Sequence, residues 1–335
     1  MHRSLPRPAV QILALFALAS IASIAATSDA EAQFKGANGR LFYVSEDASG
    51  DQRVFSSKAS GSGRKIVSPE GLDPSSLAVS PNGRRLAICG GRAADEDSWI
   101  FLGRTSGGKF RRVVKGCDPG FSPSGRKLVY TIALPDGLRD RYEIRTVATS
   151  GRSRRTILRP RDRWLSDTRF TPNGKRIVFT ATIDPNVGDY DTEVYSIRSG
   201  DGRRERQITN DGGFDIDYAH ADVSPDGRRI IVAAYDGFTD RRSIVGVPIG
   251  GGPIDIIATP ESDQFDYSSP VYSPDGKRMA FERSDSAFVE YYLVFQGRLT
   301  GARPDQSLQN PPLVVPTPPA SSFGAFGPVW GARPK

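Results

Sequence analysis

Residues 272–281 read YSPDGKRMAF: a hydroxyl, a proline, a small polar residue, a glycine and a basic pair, bounded by apolar residues. The same arrangement returns as VSPNGRRLAI from Val79, FSPSGRKLVY from Phe121, FTPNGKRIVF from Phe170 and VSPDGRRIIV from Val223. As local chemistry this is a hairpin turn. Proline presets φ at one corner, Asn, Asp or Ser suits the next, glycine supplies a left-handed residue, and the Ser or Thr hydroxyl can bond the backbone two residues on. An apolar run such as Met279-Ala280-Phe281 follows each copy, so each copy joins two strands.

The repeat is periodic. Its glycines, Gly83, Gly125, Gly174, Gly227 and Gly276, are spaced by 42, 49, 53 and 49 residues, the length of a four-stranded propeller blade. The intervals hold a third strand, such as SWIFLG from Ser98 or EVYSIRS from Glu193, then a Gly-rich turn and a short fourth strand, such as RRVV from Arg111 or RQIT from Arg206. At the ends, NGRLFYVS from Asn38 matches the second half of the motif and FGPVWG from Phe326 the first half. The expectation is an all-β, six-bladed propeller of four-stranded antiparallel blades. The C-terminal strand would pair with the N-terminal strands and leave no open edge.

The repeated SPDG turns, basic pairs and apolar strands resemble the TolB-like, WD40-like (Pro-Asp repeat) β-propeller family, which also includes the propellers attached to prolyl oligopeptidases. The resemblance runs from about Asn38 to Trp330 and covers the propeller portion only, without the α/β domain that precedes the propeller in TolB. It implies a binding module of the periplasm or cell envelope. The peptidase relatives need an α/β-hydrolase domain with a GxSxG nucleophile elbow. The sequence has no such motif, and the repeat itself, being structural, does not choose a function.

The first residues read as a secretory signal peptide: His2, Arg3 and Arg7, a nearly wholly apolar run from Ile12 to Ala26, and the small-x-small site Ala30-Glu31-Ala32. Residues 1–32 are expected to be removed, leaving 33–335 as the propeller, with 304–323 as a Pro-rich rim segment and no stable membrane span. Processing removes Arg3, Arg7, Asp29 and Glu31, so the formal charge of +7 survives. Such a balance bears on solubility and on attraction to anionic surfaces rather than on fold. His220 is the one histidine left, which excludes mechanisms built on a histidine cluster.

Strands in a blade alternate direction, so the SPDG turns and the third-to-fourth turns share one face. That face collects basic residues, among them Arg84, Arg126, Lys175, Arg228, Lys277, Arg152, Arg154, Arg203 and Arg204. The opposite loops, SEDASGD, AADEDS, DPNVGDYDTE, PESDQFD and DGGFDIDYAHAD, are acidic. A monomer with a charge dipole is expected, and two readings of it stand: the basic pairs serve only to keep the blade ends soluble, or the basic face meets an anionic envelope polymer or lipid headgroups while the acidic face meets an envelope protein or peptide, or a cation. Nucleic acid is not expected, since no aromatic stacking pattern accompanies the arginines. Cys89 and Cys117 fall on the acidic face of adjacent blades, either as a disulfide in an oxidising compartment or as two thiols.

Innermost strands line the channel, so the residues just before each repeated turn are those a channel ligand meets. Asp73, Asp217 and Asp266 occupy one level, while Asp118, Asp167 and Asp222 lie nearer the turn. With His220 they form the expected ligand or partner site. Crowded carboxylates repel one another unless protonated or bridged by a cation, and oxygen-rich sites suit Ca²⁺. The bland alternative is that such aspartates cap backbone amides. His220 with Asp217 or Asp222 could make an acid–base pair, which leaves open a carbohydrate-active hydrolase or lyase. Asp184, Asn186, Asp189 and Asp191 offer further oxygen ligands for a metal, without calcium-hand spacing. No other cofactor is implied.

Overall fold

The computed structural model describes residues 35–91, 98–136, 139–161, 163–182, 191–210, 215–285, 288–300, 303–304 and 325–334. The segment read as a signal peptide and residues 305–323 of the Pro-rich stretch lie outside them. Three strands open the chain and belong to sheet A: β1 (Asn38–Glu46), β2 (Gln52–Ser57) and β3 (Lys65–Ile66). Sheet B holds β4 (Asp73–Val79), β5 (Arg85–Gly91), β6 (Trp99–Arg104) and β7 (Arg111–Lys115). Sheet C holds β8 (Cys117–Phe121), β9 (Lys127–Asp136), β10 (Arg139–Ala148) and β11 (Arg155–Leu158). Sheet D holds β12 (Leu165–Phe170), β13 (Arg176–Thr182), β14 (Thr192–Arg198) and β15 (Arg206–Gln207). Sheet E holds β16 (Ile216–Val223), β17 (Arg229–Asp236), β18 (Arg241–Pro248) and β19 (Asp255–Ala258). Sheet F holds β20 (Phe265–Tyr272), β21 (Arg278–Asp285), β22 (Phe288–Thr300) and β23 (Arg303–Pro304). The last strand, β24 (Ala325–Ala332), returns to sheet A and pairs antiparallel with β1, Leu41 opposite Trp330.

Each sheet is a four-stranded antiparallel blade of a β-propeller. The innermost strands pack in succession, β4 on β8, β8 on β12, β12 on β16, β16 on β20, β20 on β24 and β24 on β4. Second strands are covered on both faces, which is why they read as continuous apolar runs rather than alternating ones: Ile177 to Thr182 are all buried. The outermost strands are short and half-exposed, as in Arg111–Lys115, which blunts the edge.

The core is divided among the gaps between sheets. Leu77, Val79 and Ile88 of sheet B pack on Phe42 and Val44 of sheet A, and Val178 and Val194 of sheet D on Val223 and Val232 of sheet E. Ala280 of sheet F packs on Leu41, Tyr43 and Trp330 of sheet A.

The repeated turn is built by its hydroxyl, though not with the bond expected from sequence. The Ser80 hydroxyl accepts the Arg85 amide five residues on (2.9 Å) and donates to the Asn82 side chain (2.8 Å). Asn82 in turn accepts the Arg84 amide at 3.2 Å. Thr171 and Asn173 repeat this, as do Ser224 with Asp226 and Ser273 with Asp275. Five residues, 80–84, are therefore looped between the two strands, and Gly83, at φ 66°, makes the reversal. The basic pair divides its labour. The second member turns inward: Arg85 to Thr149 (3.1 Å), Arg176 to Ser196 (3.0 Å) and Arg229 to Asp255 (2.6 Å). The first members, Arg84, Arg126, Lys175, Arg228 and Lys277, are exposed.

Candidate functional site

The innermost strands do not run straight to their turns. Four of them break register with their second strands between Cys117 and Gly120, Ser166 and Arg169, Ala219 and Asp222, and Ser268 and Val271. One residue in each of these four takes left-handed geometry: Asp118 (φ 49°), Asp167 (φ 54°), His220 (φ 58°) and Ser269 (φ 49°), with Gly327 (φ 59°) at the matching point of β24. The shift in β4, between Pro74 and Ser76, carries no left-handed residue. A bulge re-aims the side chain it carries, and Asp and His tolerate this region better than most residues. Asp118, Asp167, His220 and Ser269 consequently border one cavity of about 700 Å³ in the channel.

Two of these aspartates share a support. Asp118 Oδ2 accepts the Thr131 hydroxyl (3.0 Å), and Asp167 Oδ2 accepts the Thr180 hydroxyl (2.9 Å), each from the adjacent second strand. Both also tie their sheet to the next: Thr168 donates to the Asp118 carbonyl at 2.8 Å, and the His220 amide to Asp167 Oδ2 at 2.8 Å. Burial, and then the charge of Asp167, push the Asp118 carboxyl above its ordinary range.

Further in, Asp222 accepts the Tyr272 amide at 2.9 Å and is 8% exposed. Burial carries its pKa up to about 6, against the pull of the Arg169 guanidinium. Arg169 and Asp222 line both the cavity and the narrow space of about 30 Å³ beyond it, where Val271, Val329 and Trp330 close in. They are the floor of the site.

The remaining aspartates separate. Asp217 lines the cavity, but its Oδ1 accepts the amide (2.9 Å) and hydroxyl (3.1 Å) of Thr192, where the third strand of the neighbouring sheet begins. Asp266 accepts the Arg242 amide in the same way at 2.8 Å and is not among the lining residues. Both do what the bland alternative described, capping backbone across a sheet boundary. Asp73 is exposed and also lies off the cavity wall. His220 is exposed within the cavity, and among the described residues no carboxylate hydrogen-bonds its imidazole.

Of the other oxygen ligands, Asp184, Asn186 and Asp189 lie outside the described residues, and Asp191 lies within them. Among the described residues no group of three or more His, Cys, Asp or Glu is placed to hold a metal ion. Cys89 and Cys117 are joined by a disulfide linking sheet B to sheet C. It abuts the cavity wall, where the Ser75 hydroxyl approaches Cys89 Sγ at 3.3 Å.

Sequence reasoning passed over several lining groups: Arg169, Glu282, Tyr235, Arg242 and the hydroxyls of Ser75, Ser76, Ser166 and Ser268. Glu282 is buried, accepting the Ser268 hydroxyl at 2.9 Å and the Gly327 amide, and so anchors the closing strand. The face opposite the turns is also less uniformly acidic than expected, because the linker before β12 brings Arg159, Arg161, Arg163 and a half-exposed Trp164 to it.

This arrangement of blades is shared with solved structures. The crystal structure of TolB from Acinetobacter baumannii superposes with a TM-score of 0.67 at 19% identity, covering 90% of this chain and 68% of that one. The chain has the fold of the TolB propeller. The same fold is shared with a nidogen/laminin complex (TM-score 0.62, 10% identity, 87% of this chain and 98% of that one). An oligogalacturonate lyase in complex with manganese also shares it (TM-score 0.53, 15% identity, 79% of this chain and 86% of that one). No protein-family model matches the chain. No curated protein matches it either. Among the described residues of this TolB-like propeller, no helix is long and apolar enough to cross a membrane.

Proposed function

We propose that the chain is an exported, monomeric, TolB-like propeller that recognises an envelope protein, peptide or small ligand non-covalently through the cavity in its channel. The six sheets are read as the blades of one closed six-bladed ring, on the succession of innermost strands from β4 round to β24 and back. Export to the periplasm or cell envelope rests on the sequence of residues 1–32, and 33–335 is then the mature domain.

The observation that carries the binding reading is the way the cavity's acids are engaged. A catalytic site needs an acid and a base that converge on a reacting atom and are free to change protonation. Here Asp167 Oδ2 takes three donors, Thr180, Ser166 and the His220 amide, at 2.9, 3.4 and 2.8 Å. Asp217 is committed to Thr192, and among the described residues no carboxylate hydrogen-bonds the His220 imidazole. Groups held this firmly shape a surface. Protein complexes and a lyase both occur on this fold, and fold alone does not divide them.

A hydrolase or lyase acting on carbohydrate remains the second reading, and the observation favouring it is Asp118, a half-buried carboxyl with a raised pKa facing the cavity. Ala219→Trp separates the two. Ala219 lines the cavity, and a large side chain there obstructs the space without replacing any carboxyl or His220. Loss of partner capture, with no turnover of oligosaccharides by the parent protein, is the expected result. Product release by the parent that Ala219→Trp abolishes would establish the enzyme instead.

A further inference from the structure

The turn face, opposite the cavity mouth, carries a second feature that the channel reading does not use. In sheets C and D the two turns of each sheet are bonded to one another. The Thr149 amide donates to the Arg126 carbonyl (2.8 Å) and the Ser199 amide to the Lys175 carbonyl (3.0 Å), while the Ser199 hydroxyl reaches the Gly174 carbonyl (2.6 Å). The Arg176 guanidinium bonds the Arg204 carbonyl at 2.7 Å. The neighbouring turns also approach closely: a Cβ on the left-handed Gly174 would lie 3.3 Å from the Pro123 ring. The turn ends of these two sheets therefore make a rigid plate.

On that plate Arg126, Arg152, Arg154, Lys175, Arg203 and Arg204 are all exposed. Nearby acids are already engaged. Asp201 is taken by the Arg198 guanidinium (2.6 Å to Nε), which holds its pKa down at about 2, and Glu205 pairs with Arg163 at 2.5 Å. Arg203 lies 4.0 Å from Asp201 with its side chain 82% exposed, so its charge faces solvent. Where basic residues serve solubility alone, charges of both signs are interspersed. Here positive charge predominates, because the two acids, Asp201 and Glu205, are each paired with an arginine, and it is carried on hydrogen-bonded turns.

We infer that the turn ends of sheets C and D dock on an anionic lipid surface, with these six cations meeting headgroup phosphates. A cation near such a surface gains from its negative potential within about one Debye length, and a preformed plate loses little conformational freedom on docking. The cavity opens at the other end of the channel, so ligand capture and docking are compatible.

The test uses the processed chain with sedimented vesicles of phosphatidylglycerol and phosphatidylcholine in equal parts, and of phosphatidylcholine alone. Binding is expected on the mixed vesicles only, and should be lost at high salt. The quadruple variant Arg152→Gln, Arg154→Gln, Arg203→Gln, Arg204→Gln should bind more weakly by roughly five-fold per charge, some hundreds-fold in all, with an unchanged melting transition. If that variant melts early, the salt dependence of the parent decides alone. Binding to phosphatidylcholine alone, binding insensitive to salt, or capture of inorganic polyphosphate without vesicle binding would each overturn the inference. Ala219→Trp should leave vesicle binding untouched, so failure of the channel reading and failure of this one remain distinct.

Discussion

Asp222 is held in a position that costs stability at neutral pH. Its carboxyl titrates near 6 in the folded chain against about 3.9 in an unfolded one, so between those values the native state binds the extra proton. Stability from this group accordingly falls as pH rises from about 4 to 6, by on the order of 2–3 kcal/mol in total, and is lower at pH 7 than at pH 5. Asp118, raised by burial, acts in the same direction. Asp47, Asp226, Asp275, Glu143 and Glu261 are lowered, and their contribution is lost only at more acidic pH. Thermal melts of the parent should therefore rise from pH 7 to pH 5. Asp222→Asn keeps an acceptor for the Tyr272 amide and should flatten that rise, whereas an unchanged slope would show that Asp222 is not the group responsible. Gly83 is a second residue whose role is local: a Cβ there would sit in left-handed geometry and overlap the Ala332 carbonyl oxygen. Gly83→Ala should cost more than the roughly 1–2 kcal/mol of left-handed strain. Gly50→Ala, at φ 82° with nothing within 4 Å, should cost no more than that in the same denaturant titration.

Among the elements, the repeated turn and the bulged innermost strand differ in how openly the sequence displays them. The turn is local chemistry. Hydroxyl, proline, Asx and glycine act within six residues, so five copies could be aligned by eye and the strands on either side followed. The β1–β24 pairing was legible for the same reason, each half of the motif being found at one end of the chain. The bulge is not local. The left-handed residue is Asp118 in one strand, His220 in another and Ser269 in a third, and only the register against the second strand reveals that they are equivalent. Counting back from the turn therefore joined Asp73, exposed and off the cavity wall, to Asp217 and Asp266, which cap backbone across a sheet boundary, and passed over Arg169 and Glu282, which look like ordinary strand residues. The cysteines lay between these extremes: their sheet ends could be read, but their bond depended on how neighbouring sheets meet. That bond staples sheet B to sheet C across 28 residues, and on a chain-entropy estimate its reduction should cost roughly 3–4 kcal/mol. Mass spectrometry under denaturing conditions should show a gain of two hydrogens with reductant, accompanied by an earlier melt. A full gain without any change in melting would mean that packing alone holds the two sheets.

For the molecule as a whole, the two ends of the channel differ in kind. At the turn end, hydroxyls, Asx side chains and inward-facing arginines are consumed in building the plate, and the outward cations remain. At the other end, bulges collect Asp118, Asp167, His220 and Ser269 around a cavity whose floor is Arg169 with Asp222. The motif that identifies the fold thus stands opposite the site assigned to recognition, which explains why a sequence so informative about architecture says less about what is bound. Amide hydrogen exchange of the processed chain, free and after incubation with envelope extract, tests that assignment most directly. Slowed exchange confined to 117–121, 166–170 and 217–222, and absent in Ala219→Trp, is the expected result. Protection confined to the outer strands, or chemical conversion of the bound compound, would contradict a channel that works by binding alone.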